Sequence, residues 1–289
     1  MGRTGLCEGR VVVVTGAGRG LGRAHALAYA AEGARVVIND LPDPAGSPAR
    51  RVVNEIRAGG GDALAHEGDI AADPGAADLI GAALRRWGRV DTLVNNAGTL
   101  RDRMLVNLAE DDWDSVLKVH VTGSFLPLRH AAEHWRERAK RGTPVSARVI
   151  NTTSGAGLLG SVGQANYAAA KAGVIALTLV AAAELARYGV QVNAIAPVAR
   201  TRMTEAAFPG LDAPPEDVSP LVVWLGSAAS DGVTGRVFEA ESGRISVMEG
   251  WRRGPTAESP IRWTPTAAGE TARTLLARSE PPGTVYGAG

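Results

Sequence analysis

The amino-acid sequence predicts an α/β fold in which helices cover both faces of one doubly wound parallel sheet. Two observations carry this prediction. Short β-branched runs alternate along the chain with longer segments of helical composition, which is the order that places strands side by side and parallel. The first of these runs leads directly into the glycine-rich segment Thr15–Gly22, and such a turn between a strand and a helix is typical of nucleotide binding.

The composition is that of one globular domain without a strong surface charge. The chain has 289 residues, of which 45% are apolar, and this is enough for one sizeable core. Its 31 basic and 30 acidic residues give a net charge of +1, so no broad field would attract nucleic acid or an anionic membrane. The one cysteine, Cys7, cannot form an internal disulfide, the N-terminus lacks a signal-peptide pattern, and the apolar runs are too short to span a bilayer. We therefore expect a cytoplasmic protein that binds a small-molecule substrate and neither nucleic acid nor membrane.

The first two strands and the helix between them form a predicted nucleotide-binding unit. Arg10–Val14 and Arg35–Asn39 are β-branched runs, and an Ala-rich segment separates them. Glycines in the first turn let the backbone approach a pyrophosphate, whose charge the N-terminus of the following helix favours. The acidic residue at the end of the second strand is placed to bind the ribose. The candidate cofactor-binding residues of this unit are Gly16, Arg19, Gly20, Leu21, Gly22 and Asp40.

Asp40 favours NAD over NADP as the cofactor. A carboxylate at this position accepts hydrogen bonds from the ribose 2′-hydroxyl and repels a 2′-phosphate. Arg19, inside the glycine-rich turn, favours the opposite choice because a guanidinium could pair with that phosphate. Asp40 is followed by Leu41 and Pro42 rather than by a basic residue. We therefore expect NAD, with NADP the less favoured cofactor.

The later strands and helices alternate in the same order. Strands are predicted at 63–68, 90–94, 147–150, 190–195 and 235–241, and helices at 48–58, 73–87, 110–141, 165–187 and 220–227. Pro127 lies inside the helix at 110–141 and predicts a kink there. Residues 1–250 are then the dinucleotide-binding domain and residues 251–289 a C-terminal tail. Trp251 and Trp263 indicate that part of the tail packs, whereas its end, 281–289, is predicted to be loose.

Further candidate cofactor residues follow the predicted strands, because ligands of such sheets bind at the carboxyl ends of the strands. Position alone leaves open whether Asp69 meets the adenine or caps a turn. The Asn-Asn-Ala-Gly segment after the fourth strand could tie neighbouring strands to the cofactor or form an ordinary Asn-Gly turn. The loop after the sixth strand lies where a nicotinamide carboxamide would be held. The candidates in these three places are Asp69, Ile70, Asn95, Ala97, Gly98, Pro197, Val198 and Thr201.

Ser154, Tyr167 and Lys171 are the candidate catalytic residues. Lys171 follows Tyr167 by four positions in an Ala-rich segment, so a helix presents both side chains on one face. A free tyrosine has a pKa of about 10, and a nearby cation lowers it, which would let Tyr167 exchange a proton with a substrate. Ser154, after a predicted buried strand, could hold the substrate oxygen by a hydrogen bond. Tyr-x-x-x-Lys by itself is common by chance, and the surrounding motifs make it specific.

Together these motifs resemble the short-chain dehydrogenase/reductase family over roughly residues 8–245. T-G-A-G-R-G-L-G resembles the family's cofactor loop, N-N-A-G its fourth-strand motif, and Ser154 with Y-A-A-A-K its catalytic set. The resemblance implies a Rossmann-type fold and an NAD(P)-dependent oxidoreductase of alcohols and ketones. It also implies that Tyr167 is the general acid/base, that Ser154 holds the substrate oxygen, and that Lys171 binds the nicotinamide ribose while lowering the pKa of Tyr167. Family members commonly form homodimers or homotetramers, so the same assembly is expected here.

A closer resemblance is to the (3R)-hydroxyacyl-CoA dehydrogenase unit of peroxisomal multifunctional enzymes of type 2. The segments that carry it include L-R-D-R-M from Leu100, K-V-H-V-T-G-S-F from Lys118 and P-L-V-V-W-L from Pro220. This resemblance implies a 3-hydroxyacyl thioester as the substrate. His120 stands where the family usually has a catalytic asparagine that anchors a relay water, and this subgroup also carries histidine there. Whether His120 joins the proton relay or is only packed stays open.

Other functions remain open from the residues alone. A ketoreductase or a hydroxysteroid dehydrogenase acting on a bulky ring substrate would use the same catalytic residues. A non-catalytic NAD-binding sensor would keep the dinucleotide site and would not depend on Tyr167. His130 and His134 match the H-x-x-E-H pattern of some zinc peptidases, but no histidine follows His134 in the chain. We therefore expect no metal site.

Overall fold

The computed structural model describes residues 5–201, 203, 210 and 212–288. In that part of the chain the strands are β1 (Val11–Val14), β2 (Arg35–Asp40), β3 (Asp62–Glu67), β4 (Thr92–Asn95), β5 (Ala147–Thr152), β6 (Val190–Pro197), β7 (Val237–Glu241) and β8 (Arg244–Met248). They form one sheet in the order β3-β2-β1-β4-β5-β6-β7-β8. The neighbours from β3 across to β7 pair in parallel. The predicted doubly wound, Rossmann-type fold is confirmed.

Among the described residues, α-helices connect the parallel strands, and one more helix, Pro265–Leu276, follows the last strand. They are α1 (Gly20–Ala31), α2 (Pro48–Ala58), α3 (Asp73–Trp87), α4 (Glu110–Leu117), α5 (Gly123–Lys140), α6 (Gly155–Leu159), α7 (Ala165–Leu185), α8 (Ser219–Gly226) and α9 (Pro265–Leu276). α1, α2 and α8 contribute to the core on one face of the sheet, and α3, α5 and α7 to the core on the other.

The four valines of β1 show how one strand contributes side chains to both cores. All four are fully buried. Val12 and Val14 belong to the core that contains Tyr29 of α1, whereas Val11 and Val13 belong to the core that contains Trp135 of α5. Because successive side chains of a strand point to opposite faces, an unbroken apolar run is what a strand buried on both sides requires.

The strand order places two sequence motifs next to each other. β1 is paired with β2 on one side and with β4 on the other, so the chain reverses its direction of winding between β1 and β4. A crevice opens at the carboxyl ends of strands at such a switch point, and ligands of this fold bind there. The glycine-rich segment follows β1, and Asn96–Gly98 follows β4. Both therefore border the same crevice.

The sheet has one more strand than the sequence patterns predicted. β8 pairs with β7 in antiparallel register, with Phe238 opposite Val247, so 235–241 is not the last strand. Gly243 has a φ of 70° in the turn between the two strands, a conformation that glycine adopts without strain. The Ser-Gly turn followed by alternating polar and apolar residues was a usable hairpin signal. β8 extends an otherwise parallel sheet at its edge.

The predicted helix at 110–141 consists of two α-helices joined by a π-helical segment, Lys118–Thr122. Pro127 lacks the N–H that would bond to the carbonyl of Gly123, the residue at which α5 begins. The departure from α-helical geometry thus lies one turn before the proline. Short π-helical segments are frequent at functional sites, and this one contains the buried His120.

The C-terminal tail packs at a different place from the one the tryptophans suggested. Trp251 is fully exposed and Trp263 is 42% exposed. By contrast, Tyr286 near the end of the chain is hydrogen-bonded to the backbone of Gly160 and Val162. The segment 281–289 therefore makes specific contacts where its described residues reach the domain. The division into a domain at 1–250 and a tail stays a prediction.

α7 is longer and more apolar than the sequence analysis allowed for. With the turn that follows it, the helix spans Ala165–Tyr188, 24 residues with a mean hydropathy of 1.7 in its most apolar part. Its length and composition alone would allow it to cross a membrane. The mean hydropathy is high because the helix contains many alanines, not because it contains a strongly apolar run. In this fold it packs on β5 and β6 and carries Tyr167 and Lys171. These contacts are those of a core helix.

Burial of His25 predicts a pH dependence of folding stability. The ring lies on α1 with Nδ1 2.9 Å from Ser219 Oγ, and burial lowers its pKa from 6.5 to about 3. Between these two values the unfolded chain binds a proton that the folded chain excludes. The unfolding free energy should therefore fall as the pH drops from about 6.5 towards about 3, by up to about 1.4 kcal/mol per pH unit for this group.

The His25→Asn variant tests this. Asn keeps a polar partner for Ser219 and leaves a small cavity, so stability falls somewhat at every pH. The informative quantity is the slope of the unfolding free energy against pH, measured by denaturant unfolding between about pH 6 and pH 4. We expect the slope to be shallower in the variant by about one proton. Equal slopes in the two proteins would show that His25 titrates normally.

Candidate active site

The structure brings Ser154, Tyr167 and Lys171 together at the carboxyl end of β5. Ser154 is the N-cap of α6, and its Oγ accepts a hydrogen bond from Ala156 N at 3.2 Å. Tyr167 and Lys171 lie on the first turns of α7. Lys171 is buried; its Nζ donates to Thr152 O at 2.6 Å and lies 5.5 Å from the centre of the Tyr167 ring.

The electrostatics of the pair differ from the prediction. Burial raises the pKa of Tyr167, and the neighbouring Ser154 hydroxyl acts in the opposite direction. Burial also lowers the pKa of Lys171 from 10.5 to about 7. The pKa of Tyr167 is thus raised rather than lowered, although the Lys171 amine lies close to the ring. Ser154 is the neighbour that favours the phenolate in this geometry.

His120 packs against the tyrosine ring. The two ring centres are 5.2 Å apart with the planes at 79°, and His120 Nε2 lies 2.8 Å from Thr99 O. Nδ1 is buried and has no hydrogen-bond partner among the described residues. Burial, with a smaller contribution from Lys171, lowers the pKa of the imidazole to about 3. The ring is therefore neutral at physiological pH and cannot act as a cationic acid.

Gly98 makes room for this histidine. A Cβ atom on Gly98 would lie 2.5 Å from His120 Cε1, closer than any real contact allows. The glycine of the Asn-Asn-Ala-Gly motif is thus required by a ring packed against it rather than by a turn. No sequence pattern indicated that these two residues touch.

The glycine-rich turn forms a cradle in which side chains would not fit. Gly16 and Gly20 have φ values of 60° and 53°, which glycine adopts most readily. A Cβ atom on Gly16 would lie 2.7 Å from Ala97 Cα, and one on Gly22 would lie 2.3 Å from Gly16 O. The N-cap of α1, Arg19, makes no side-chain capping bond. An uncapped helix N-terminus beside a close backbone turn fits the pyrophosphate of a dinucleotide.

The two charged candidates, Asp40 and Arg19, both have partners within the protein. Asp40 Oδ2 accepts a hydrogen bond from Gly18 N at 2.9 Å, and its Oδ1 accepts one from Leu41 N at 2.8 Å. Arg19 is paired with Asp43, a residue that the sequence analysis did not single out. A hydrogen bond from the Ala45 backbone and the ion pair with Arg19 lower the pKa of Asp43. Arg19 thus has a carboxylate partner in the neighbouring loop that follows β2.

Asp69 and Ile70, the candidates that follow β3, both make contacts within the protein. Asp69 Oδ1 accepts a hydrogen bond from Ala71 N at 2.9 Å, which is the turn-capping contact considered as one alternative. Ile70 is buried, and a Cβ atom on Gly123 would lie 2.6 Å from its Cδ1. Their contacts with a cofactor stay predictions.

Asn95 and Val198 are also held by backbone and side-chain contacts. Asn95 Nδ2 donates to Ser124 O at 3.1 Å and to Asn151 Oδ1 at 2.9 Å, so it ties β4 to β5 and to α5. Val198 N donates to Ala240 O at 2.8 Å, which extends the pairing of β6 with β7. For these two residues as well, a cofactor contact stays a prediction.

Most of the candidates line one cleft of about 260 Å³. Those on its wall are Gly16, Arg19, Gly20, Leu21, Asp40, Ala97, Gly98, His120, Ser154, Tyr167, Lys171, Pro197 and Thr201. Those outside the lining are Gly22, Asp69, Ile70, Asn95 and Val198, whereas the lining also includes Asn96, Thr152, Thr153, Ala199 and Met203. Asn96 binds the glycine turn, since its Nδ2 donates to Thr15 O at 3.0 Å. The N-N-A-G motif pointed to this place without showing which asparagine faces the cleft.

The H-x-x-E-H pattern has a structural role on α5. His130 Nε2 lies 3.0 Å from Asp73 Oδ1, and its Nδ1 lies 3.8 Å from Glu133 Oε2. Among residues 5–201, 203, 210 and 212–288 there is no group of three or more His, Cys, Asp or Glu side chains placed to hold a metal ion.

The fold and this cleft define a class of protein. The family model for short chain dehydrogenases matches residues 10–211, and the chain belongs to this family. It is an oxidoreductase that acts on CH–OH groups, and the family uses NAD(P) nucleotides.

Individual relatives show which members of the family this chain is similar to. Hydroxyacyl-CoA dehydrogenase ChsB1 of Mycobacterium tuberculosis is 44% identical over 95% of this chain and 90% of its own. Peroxisomal multifunctional enzyme type 2 of Mus musculus is 41% identical over 85% of this chain, which spans 33% of that protein's length. The crystal structure of a short chain dehydrogenase from Mycobacterium avium has 56% identity and a TM-score of 0.93, and the match covers 98% of this chain and 100% of that one. The resemblance to both the family and the subgroup is confirmed.

Proposed function

We propose that this chain is an NAD-dependent dehydrogenase that interconverts a 3-hydroxyacyl-CoA-type thioester and its 3-ketoacyl form. The observation that carries the proposal is the convergence of Ser154, Tyr167 and Lys171 with Asp40 and the glycine turn on one cleft. When bound, the nicotinamide accepts or supplies the hydride of the reaction. The protein has to bind it, hold the substrate oxygen beside it and move one proton.

Tyr167 moves that proton in the proposed mechanism. In oxidation its phenolate removes the proton from the substrate hydroxyl, and in reduction its hydroxyl returns one to the forming alkoxide. Ser154 Oγ accepts from Ala156 N, which leaves its own proton free to be donated to the substrate oxygen. Burial raises the pKa of the phenol, and the Ser154 hydroxyl beside it offsets part of that rise. The two hydroxyl groups therefore bind the same substrate oxygen and share its developing charge.

Lys171 and His120 support the tyrosine from the buried side. With a pKa of about 7, Lys171 can take up and release protons near neutral pH, in addition to binding the nicotinamide ribose. The neutral His120 ring, packed on Tyr167, favours the packed role over a titrating one. Its Nδ1, which has no hydrogen-bond partner within the described part of the chain, can still bind a water molecule.

The ion pair between Arg19 and Asp43 supports NAD rather than NADP as the cofactor. Asp40 presents a carboxylate at the end of β2, where it can bind a ribose hydroxyl and repel a phosphate. Arg19, the residue that would favour NADP, is paired with Asp43. A 2′-phosphate would have to compete with this carboxylate and would also face Asp40.

The substrate class rests on the relatives, two of which carry hydroxyacyl-CoA dehydrogenase or multifunctional enzyme names. The test is the change in absorbance of the nicotinamide when purified protein is mixed with NAD or NADP and a (3R)-hydroxyacyl-CoA. We expect turnover with NAD and a much lower rate with NADP. A protein that binds NAD without oxidising the thioester would exclude this substrate, and a panel of steroids and ring ketones would then test the ring-substrate alternative.

We propose that the protein acts in the cytoplasm as a homodimer or homotetramer. Phe125 of α5 and Leu179 and Val180 of α7 are apolar and 43%, 48% and 55% exposed, and members of this family commonly assemble through the helices that correspond to α5 and α7. Cys7, the one cysteine, is buried and free, as in a reducing compartment. Light scattering should give two or four times the mass of one chain. A monomeric mass would exclude the assembly.

A further inference from the structure

The end of the chain lies against the segment that follows the catalytic serine. Val162 N donates to Tyr286 O at 2.9 Å, and Tyr286 N donates to Gly160 O at 3.3 Å. Ser161 and Tyr286 accordingly form an isolated parallel bridge. Two backbone hydrogen bonds thus fix one residue of the tail beside the loop between α6 and α7.

The side chain of Tyr286 rests on the residue next to Ser154. A Cβ atom on Gly155 would lie 2.7 Å from the Tyr286 hydroxyl oxygen, 2.9 Å from Cε2 and 3.0 Å from Cζ. Gly155 is not among the glycines with positive φ, so its backbone would tolerate alanine. What excludes a larger residue at position 155 is the tyrosine ring itself.

The helix held by this contact is too short to fix its own position. α6 has five residues, and isolated helices of this length are not stable in water. Its other side packs on α7, where a Cβ atom on Gly157 would lie 2.7 Å from Lys171 Cβ. α6 is therefore held between the helix that carries Tyr167 and the C-terminal tail. Its first turn carries Ser154 as the N-cap.

We propose that Tyr286 is a positioning residue, whose ring on Gly155 fixes α6 and thereby holds the Ser154 hydroxyl opposite Tyr167. The inference rests on the proposed function for the role of Ser154. It adds a contact from a part of the chain about 40 residues beyond the last strand, which no active-site motif indicates. The tail thus becomes part of the catalytic geometry.

Loss of the ring has a defined kinetic consequence. If α6 moves, the Ser154 hydroxyl spends less time beside Tyr167 and the substrate oxygen, so kcat falls. Because burial raises the pKa of Tyr167 and the Ser154 hydroxyl offsets part of that rise, the apparent pKa of the oxidation rate should rise as well. The glycine turn and Asp40 follow β1 and β2 rather than β5, and the affinity for NAD should stay unchanged.

The experiment compares Tyr286→Ala with Tyr286→Phe, which keeps the ring, and with Trp251→Ala, which removes an exposed aromatic residue of the tail. The first readout is amide hydrogen exchange of the peptide covering 154–163, which needs no turnover. The second is the pH profile of kcat for NADH-dependent reduction of acetoacetyl-CoA and the reverse oxidation. We expect exchange to quicken and kcat to fall by about tenfold in Tyr286→Ala, corresponding to about 1.4 kcal/mol, and Tyr286→Phe to restore most of both.

Gly155→Ala completes the test, because its methyl group should displace the ring and reproduce the effect of Tyr286→Ala. The double variant should then be no worse than either single variant, since both break one contact. Additive losses, or exchange in Tyr286→Ala equal to that in Trp251→Ala, would overturn the positioning role. If exchange responds as expected but the wild-type protein turns over no thioester, the proposed substrate is wrong and the contact stands.

Discussion

Tyr167→Phe should lower kcat by about 10²- to 10⁴-fold, the usual contribution of a positioned general acid/base. The phenol is the group in the cleft that can pass a proton to and from the substrate oxygen, because His120 is neutral and Lys171 points to Thr152 O. Phenylalanine keeps the ring that packs on His120. The variant should therefore fold normally and bind NAD with the affinity of the wild-type protein.

The measurement is single-turnover oxidation of the thioester, with NAD affinity determined separately by calorimetry. Tyr188→Phe is the matched control, because Tyr188 loses a hydroxyl that bonds to Arg187 and lies outside the cleft lining. A wild-type rate in Tyr167→Phe would show that the proton takes another path. A loss of NAD affinity equal to the loss of rate would assign the hydroxyl to binding instead.

Motifs whose functional residues lie close together in the sequence and near the end of a strand could be predicted from the sequence. The glycine turn, Asp40 and the Tyr167–Lys171 pair are each defined by neighbours within a few positions, and the parallel sheet gathers their strand ends at one edge. The same reasoning located Asn95–Gly98 near the cleft. It did not separate Asn95, which ties strands together, from Asn96, which binds the glycine turn, because that difference depends on where each side chain points.

Contacts between distant parts of the chain could not be predicted. The pairing of Arg19 with Asp43, the packing of His120 on Gly98 and the contact of Tyr286 with Gly155 all join residues whose spacing follows no local period. The pKa of Tyr167 is a similar case, because burial outweighs the opposite effect of the Ser154 hydroxyl and burial is set by the whole fold. Trp251 and Trp263 suggested packing of the tail at a place where the structure does not show it. A large apolar side chain indicates packing only where a partner surface exists.

Asp40→Ser should shift the cofactor preference from NAD toward NADP. The variant loses charge-assisted hydrogen bonds to the ribose, which are worth about 1.5–3 kcal/mol, so kcat/KM for NAD should fall about 10- to 100-fold. It also removes the charge that repels a 2′-phosphate, and kcat/KM for NADP should rise. The backbone N–H of Gly18 loses its acceptor at the same time and becomes available to a phosphate oxygen.

Adding Asp43→Asn should increase NADP use further. Arg19 then loses its carboxylate partner and can pair with the phosphate, and a charge-assisted bond of this kind is roughly twice as strong as a neutral one. Glu55→Gln is the control, because it removes a carboxylate of α2 that pairs with Arg23 of α1 but lies outside the cleft lining. Kinetics with both nucleotides at one ionic strength should show the shift only in the Asp40 and Asp43 variants. An equal gain for NADP in Glu55→Gln would mean that net charge, rather than the Arg19–Asp43 pair, sets the preference.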